Sequence, residues 1–290
     1  MMYEYLPIDL SWGKGEMRVF LPIASALTFF VMYWFTAQSK RIRSYFYNKY
    51  EHDDASVKHI FFTKYFGFIS MGIAPTILCL VLIPEISLAD YGLTVIPETT
   101  MFTVLWTFGL CVLVVPLASY SARKPKNLVN YPQIRAKNWT RGILFKNLLG
   151  WALYLFGYEF LFRGVLFVPL IEPLGIWTAI AINTALYSAT HIPKGLDETI
   201  GAIPLGVVLC LLTAASGTIW IAFIVHVAMA WTNSLTALRF HPEINYNKAK
   251  VGEKKAEQPQ EEDWDPKPEQ KKETVLLIFY LFWKTSGLNK

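Results

Sequence analysis

Charge is scarce in this chain, and cysteine scarcer still. Only 17% of the 290 residues are Asp, Glu, Lys or Arg, against 53% hydrophobic and 16% aromatic. That is too little polar material to cover a water-soluble domain of this length, which excludes an ordinary soluble globule. The 3 cysteines, Cys79, Cys111 and Cys210, each fall inside an apolar run. They are spaced too widely for a zinc knuckle or a disulfide framework, and read as packing residues. No cleavable signal peptide is visible, because the first apolar run begins near Phe20, is long enough to span, and has no small-residue cleavage site behind it. The formal charge of +5 does not point to nucleic acid, since Lys and Arg bunch between apolar runs, where insertion topology accounts for them.

What the chain does have is long hydrophobic segments, and they predict an all-α polytopic membrane bundle of about seven transmembrane helices plus a short C-terminal interfacial helix. Residues 1–17 are polar enough to stay outside the membrane, with Trp12 a candidate interface anchor. The spans are expected at Arg18–Phe35, Ile60–Ile83, Phe102–Ala118, a fourth within the apolar run Leu148–Ile171, then Ile176–His191, Thr199–Ala214 and Thr218–Leu238. Lys64 is expected to snorkel to the inner surface, and Pro75 to kink its helix.

Loop charges alternate along the chain. Lys40, Arg41, Arg43 and Lys49 follow the first span, and Arg123, Lys124, Lys126, Arg135, Lys137 and Arg141 follow the third. The loop 84–100 carries Glu85, Asp90 and Glu98 and neither Lys nor Arg. The positive-inside rule puts the basic loops in the cytoplasm and the amino terminus outside, and the default location is a bacterial plasma (inner) membrane. The chain divides into an N-terminal three-helix membrane region (1–142), a core (143–240), a disordered charged cytoplasmic tail (241–274) and a short apolar segment (275–290). His52, His59 and His241, in or beside the basic segments, read as ordinary solvated residues.

Within the fourth apolar run lies Tyr158-Glu159-Phe160-Leu161-Phe162-Arg163-Gly164, an acid and a base where lipid is expected. A lone ionised side chain at mid-bilayer costs ~2.5–3.5 kcal/mol on insertion scales, so intramembrane charges face a bundle interior or a wet cavity. Four residues apart on a helix, Glu159 and Arg163 share a face and can pair. His191 and His226 recur in later apolar helices, so an acid and two imidazoles in three spans supply material for a hydrolytic or metal site. Tyr187 and His191 form an i, i+4 pair, and Asn183 extends that stripe by a further turn.

The depths constrain the site. A fourth helix entering at Ile143 would carry Glu159 ~24 Å from the inner face, with His191 within ~10 Å of it, too far apart to meet. If Ile143–Leu149 lies along the interface and the spanning helix starts near Gly150, Glu159 is only ~14 Å deep and His226 ~18 Å, and the three groups line one cytoplasm-facing cavity.

These residues resemble the CAAX protease and bacteriocin-processing (CPBP) family of intramembrane endopeptidases, whose motifs Glu-Glu-x-x-x-Arg, Phe-x-x-x-His and His-x-x-x-Asn fall on successive helices. Here they look like Tyr158-Glu159-x-x-x-Arg163-Gly164, Tyr187-x-x-x-His191 and His226-x-x-x-Ala230, over about Leu148 to Asn233. The resemblance implies cleavage of a membrane-embedded or lipidated protein or peptide, with Glu159, His191 and His226 as catalytic residues and Arg163, Tyr158, Tyr187 and Asn233 in support. Zinc held by Glu159, His191 and His226 is one option, with a fourth position left for water. Two positions depart from the pattern. Tyr158 replaces the leading glutamate, and a phenol with pKa ~10 is a poor general base at neutral pH. Ala230 replaces the asparagine of the oxyanion site, leaving Asn233, nearly on the same face, as the nearest substitute. Two readings therefore stand: an intramembrane endopeptidase, or a non-catalytic relative that binds or scaffolds a membrane partner. A proton-relay transporter is disfavoured by the lack of an internal repeat or paired broken helices.

Overall fold

The computed structural model describes residues 11–246. The expected charged tail beyond Tyr246 and the apolar segment at 275–290 lie outside the described residues. In chain order the helices are α1 (Lys14–Ala37), α2 (Lys40–Lys49), α3 (His52–Leu82), α4 (Pro97–Ala122), α5 (Arg141–Leu174), α6 (Ile176–Ala189), α7 (Leu196–Ser216) and α8 (Trp220–Phe240). A two-residue parallel bridge pairs β1 (Asn138–Trp139) with β2 (Asn245–Tyr246). The protein is an all-α polytopic bundle, and among the described residues six helices are long and apolar enough to cross a bilayer.

The expected fifth span is absent from those six on length alone, since α6 still carries the chain from the end where Glu172 meets Arg18 to the end where Asp197 meets Lys126. α6 has only 14 residues, ~21 Å at 1.5 Å per residue, which is shorter than a hydrocarbon core. It stops at Ala189 because the next two side chains, Thr190 and His191, both turn back onto the Tyr187 carbonyl at 2.7 and 2.9 Å. Pro193 follows within the turn Ile192–Lys194 and cannot extend the helix.

α5 is the central element: 72% of its apolar window is buried, against 6% for α4 on the lipid-facing outside. The expected interfacial break at Gly150 does not occur. Thr140 caps the helix by accepting from the Ile143 N–H at 3.3 Å, and α5 then runs unbroken for 34 residues. Gly150 lies against the stem of Lys64, so it serves helix packing rather than a break. At ~51 Å the helix exceeds what a bilayer needs, and its first turns extend past the apolar layer. Glu159 therefore reaches the level of the histidines because the helix protrudes, not because it bends.

Both long central helices contain π-helical stretches, Phe68–Ile73 in α3 and Phe160–Phe167 in α5. The first directly precedes Pro75, whose missing N–H and bulky ring disturb the ladder behind it. The helices cross through glycine. A Cβ on Gly157 would lie 3.0 Å from the Phe68 Cα and 3.2 Å from the Gly72 N, so backbone meets backbone there.

Lys64 does not snorkel. It is 4% exposed, and its ammonium sits 3.1 Å above the Trp151 ring centre and 4.4 Å from that of Tyr154. The ring faces offer negative charge at no further desolvation cost. His59 is likewise not solvated, being 8% exposed beside the rings of Phe46 and Tyr47.

The start of the expected tail is also folded. Ile244 packs with Val57, Ile134, Ala136, Trp139 and Leu238, and Arg135 donates to His241 Nε2 at 2.9 Å. The sequence signal was weak because Ile244 is one apolar residue in a polar stretch, and all its partners but Leu238 are more than 100 residues away. Charge segregates by end. Glu85 pairs with Lys14 at 2.5 Å at one end, whereas the other carries the exposed cations of α2, the 123–141 segment and Arg239.

Two outcomes follow from this packing. Gly157→Leu should force α3 and α5 apart and cost ~1–3 kcal/mol, seen as a lowered melting temperature in detergent, whereas Gly109→Ala, with open space around it, should leave the melt unchanged. Burial and the Arg135 guanidinium hold His241 below the ordinary imidazole range. The opened chain then binds a proton that the closed form excludes. This latch is fully stable above pH ~6.5 and weakens as pH falls through that value toward the lowered folded one. Hydrogen exchange at residues 134–139 and 244–246 should accelerate at pH 5.5 relative to 7.5, and His241→Gln should abolish the difference.

Candidate active site

The site forms where α5 passes from regular helix into its π-helical stretch. Glu159 ends the regular part, and every residue from Phe160 to Phe167 is buried. Gly164 permits the tight local fold, because a Cβ there would strike the Phe160 ring at 2.6 Å and the Tyr91 carbonyl at 2.9 Å. π-helical turns inside α-helices frequently accompany functional sites, since they redirect side chains at one point.

Glu159 and Arg163 are both 0% exposed. Glu159 Oε2 lies 2.9 Å from Arg163 Nη1, but the N–H points off this line, so the contact is ionic rather than an aligned hydrogen bond. The guanidinium lies over the Tyr187 ring at 4.1 Å, gaining a second, stacking partner. The other carboxylate oxygen, Oε1, takes His226 Nδ1 at 2.5 Å. Helix α8 thus delivers His226 onto the acid of α5, and its side chain keeps 16% exposure. A carboxylate on Nδ1 makes that nitrogen the donor, which leaves Nε2 as the basic atom.

His191 belongs to a second, neighbouring network. Its Nδ1 is 2.9 Å from the Tyr187 carbonyl, a contact that requires the proton on Nδ1 and again leaves Nε2 as acceptor. Thr190 donates to the same carbonyl at 2.7 Å. With its proton so used, Thr190 accepts from the Tyr158 hydroxyl at 2.7 Å. Tyr158 therefore stands as a neutral phenol whose ring packs against both imidazoles, 6.4 Å from His191 and 5.7 Å from His226 by ring centres.

The structure therefore joins Glu159, Arg163, His226 and Tyr187 directly and brings His191 alongside through Tyr158. It does not bring Asn233 in. No hydrogen bond joins Asn233 to Glu159, His191 or His226, and Ala230 packs with Trp151, Leu155 and Val227 below the site. Asn183 points to structure rather than catalysis, donating to the Phe162 carbonyl and accepting from Cys210 Sγ at 3.2 Å. Thr190 is the residue that sequence reasoning missed. The available signal was its place at a helix end, where a threonine hydroxyl reaches back to the i−3 carbonyl.

The donor set does not suit zinc. Among the described residues no three His, Cys, Asp or Glu side chains are grouped to hold a metal ion. Glu159 already serves Arg163 and His226, and the ring of Tyr158 packs against both imidazoles.

Comparison with known proteins follows the same segment. Residues 140–232 match the family described as type II CAAX prenyl endopeptidase Rce1-like. The match takes in Glu159, Arg163, His191 and His226 and about a third of the chain. The matched family is one of CAAX-type endopeptidases, and the six long apolar helices among the described residues put the matched segment in a multi-pass membrane setting. No curated protein and no solved structure matches the chain.

Removing one partner of the buried pair should cost far more than removing both. Arg163→Met leaves an uncompensated carboxylate in the core and should destabilise by ~3–5 kcal/mol. The double variant Glu159→Met with Arg163→Met should recover most of that in thermal unfolding. A double-variant loss equal to the sum of the Glu159→Met and Arg163→Met losses would mean the pair is not coupled.

Proposed function

We propose that the protein is an intramembrane endopeptidase acting on a membrane-associated peptide, with His226 rather than Glu159 as the base. The observation that supports this is the 2.5 Å contact between Glu159 Oε1 and His226 Nδ1. A carboxylate that orients an imidazole and stabilises its protonated form leaves Nε2 able to take a proton from water. The hydroxide so formed attacks the peptide carbonyl, and the proton then passes from His226 to the leaving amine, restoring the neutral ring. Arg163 keeps Glu159 ionised and fixes its rotamer. His191 Nε2, the free acceptor beside it, orients the water or the amine. The substrate is a membrane-embedded or lipidated segment, since the site lies inside an apolar bundle. The segregation of cations to one end of the bundle supports an inner-membrane placement, with the amino terminus outside and the site open to the cytoplasm. No step is routed through zinc.

A non-catalytic relative that binds a membrane partner is the second reading. It is favoured by Tyr158, whose proton is spent on Thr190, and by Ala230, which offers no oxyanion donor. Purified chain in detergent, assayed on quenched lipidated and unlipidated peptides, separates the two. Under the first reading the parent cleaves, His226→Ala lowers kcat/KM by at least ~100-fold, Glu159→Gln does so nearly as strongly, and a chelator leaves the rate unchanged. A silent parent that gains activity with Tyr158→Glu plus Ala230→Asn would establish the second. Loss on chelation with recovery on zinc would assign the water to a metal.

A further inference from the structure

At the cation-rich end of the bundle, α2 differs from the long helices. It has no buried residue and lies between the end of α1 and the start of α3, two membrane-crossing helices, so it sits at the membrane surface. Its sequence, Lys-Arg-Ile-Arg-Ser-Tyr-Phe-Tyr-Asn-Lys, holds four cations and no acid. Phe46 anchors it to α3 against Phe62 and His59, turning Lys40, Arg41, Lys49 and Tyr45 outward.

Among the described residues no ion pair neutralises Lys40, Arg41 or Lys49. The nearest acids on α3 are engaged elsewhere: Asp53 accepts from the Lys137 backbone N–H at 2.9 Å, and Asp54 pairs with Lys58. Tyrosine rings steady the cations instead. Arg43 lies over Tyr47 at 5.4 Å, and Lys49 lies over Tyr45 at 5.3 Å and Tyr50 at 5.6 Å. Ring faces hold a cation's position without cancelling its charge. Basic side chains interleaved with tyrosines at bilayer level match the chemistry of an anionic headgroup layer, where phosphate meets the cations and the phenols sit among the glycerol esters.

We propose that α2 is a seat for anionic phospholipid headgroups, binding them in preference to zwitterionic ones and independently of the proteolytic site. The occupant is the lipid surface itself, because the helix is tethered to a membrane-crossing span at both ends and stands at the cation-rich end of the bundle.

The full chain in nanodiscs of phosphatidylcholine mixed with phosphatidylglycerol provides the test, with native mass spectrometry counting the lipids retained and hydrogen exchange reporting on α2. The parent should retain phosphatidylglycerol preferentially, added salt should weaken that preference, and α2 amides should be better protected than in phosphatidylcholine alone. The triple variant Lys40→Gln, Arg41→Gln, Lys49→Gln should reduce the preference on the order of tenfold, while Lys124→Gln, at the same end but outside α2, should leave it intact. These exposed changes leave the fold undisturbed, which the melting temperature checks. Equal retention of the two lipids by the parent, or an undiminished preference in the triple variant, overturns the proposal.

Discussion

A single buried carboxylate, shared between a guanidinium and an imidazole, is the constraint on which the structure turns. Glu159 has no exposed surface, and alone in an apolar bundle it would be neutral or expelled. Arg163 on the same helix supplies the opposite charge, and His226, 67 residues later, supplies the hydrogen bond. Each partner answers a different demand: the arginine offsets the charge, whereas the histidine converts the acid into an orienting group for a second side chain. Residues 140–232 match a family described as type II CAAX prenyl endopeptidase, and here the buried polar groups are arranged as a carboxylate–imidazole pair.

The surrounding architecture serves that pair. α5 is long and nearly enclosed, so the acid can be deep in the protein while the helix ends reach water on either side. Its π-helical stretch begins at the residue after Glu159, and the glycine contact between Gly157 and α3 lets a second helix press backbone to backbone one turn away. Close approach through glycine favours helix association in lipid, where the solvent gives apolar surfaces no reason to separate from it. α6, short for a crossing helix, ends where Thr190 and His191 share the Tyr187 carbonyl. That ending holds His191 beside Tyr158 and closes the wall of the site.

Tyr158 deserves a physical reading apart from any motif. It replaces a carboxylate with a ring that touches both imidazoles and a hydroxyl that hydrogen-bonds to Thr190. A second acid beside Glu159 would have added like charge to a dry site. The phenol adds none and divides the polar groups into two networks.

Much of this was legible in one dimension. Hydrophobic run lengths set the membrane bundle, loop charges separated its two ends, and the four-residue spacing of Glu159 and Arg163 announced their pairing, because each is a local property of chain and solvent. The convergence of His226 on Glu159, the burial of Lys64 over Trp151 and Tyr154, the unbroken course of α5 past Gly150 and the folding of His241 and Ile244 onto the 134–139 segment were not. Each depends on which faces of distant helices meet, and hydropathy, which records only how oily a residue's neighbours in sequence are, carries no information about neighbours in space. The sequence by itself determined that charges would be buried in this protein; only the tertiary packing decided which partner each would find, since pairing energies at a few ångströms depend on geometry that no spacing along the chain encodes.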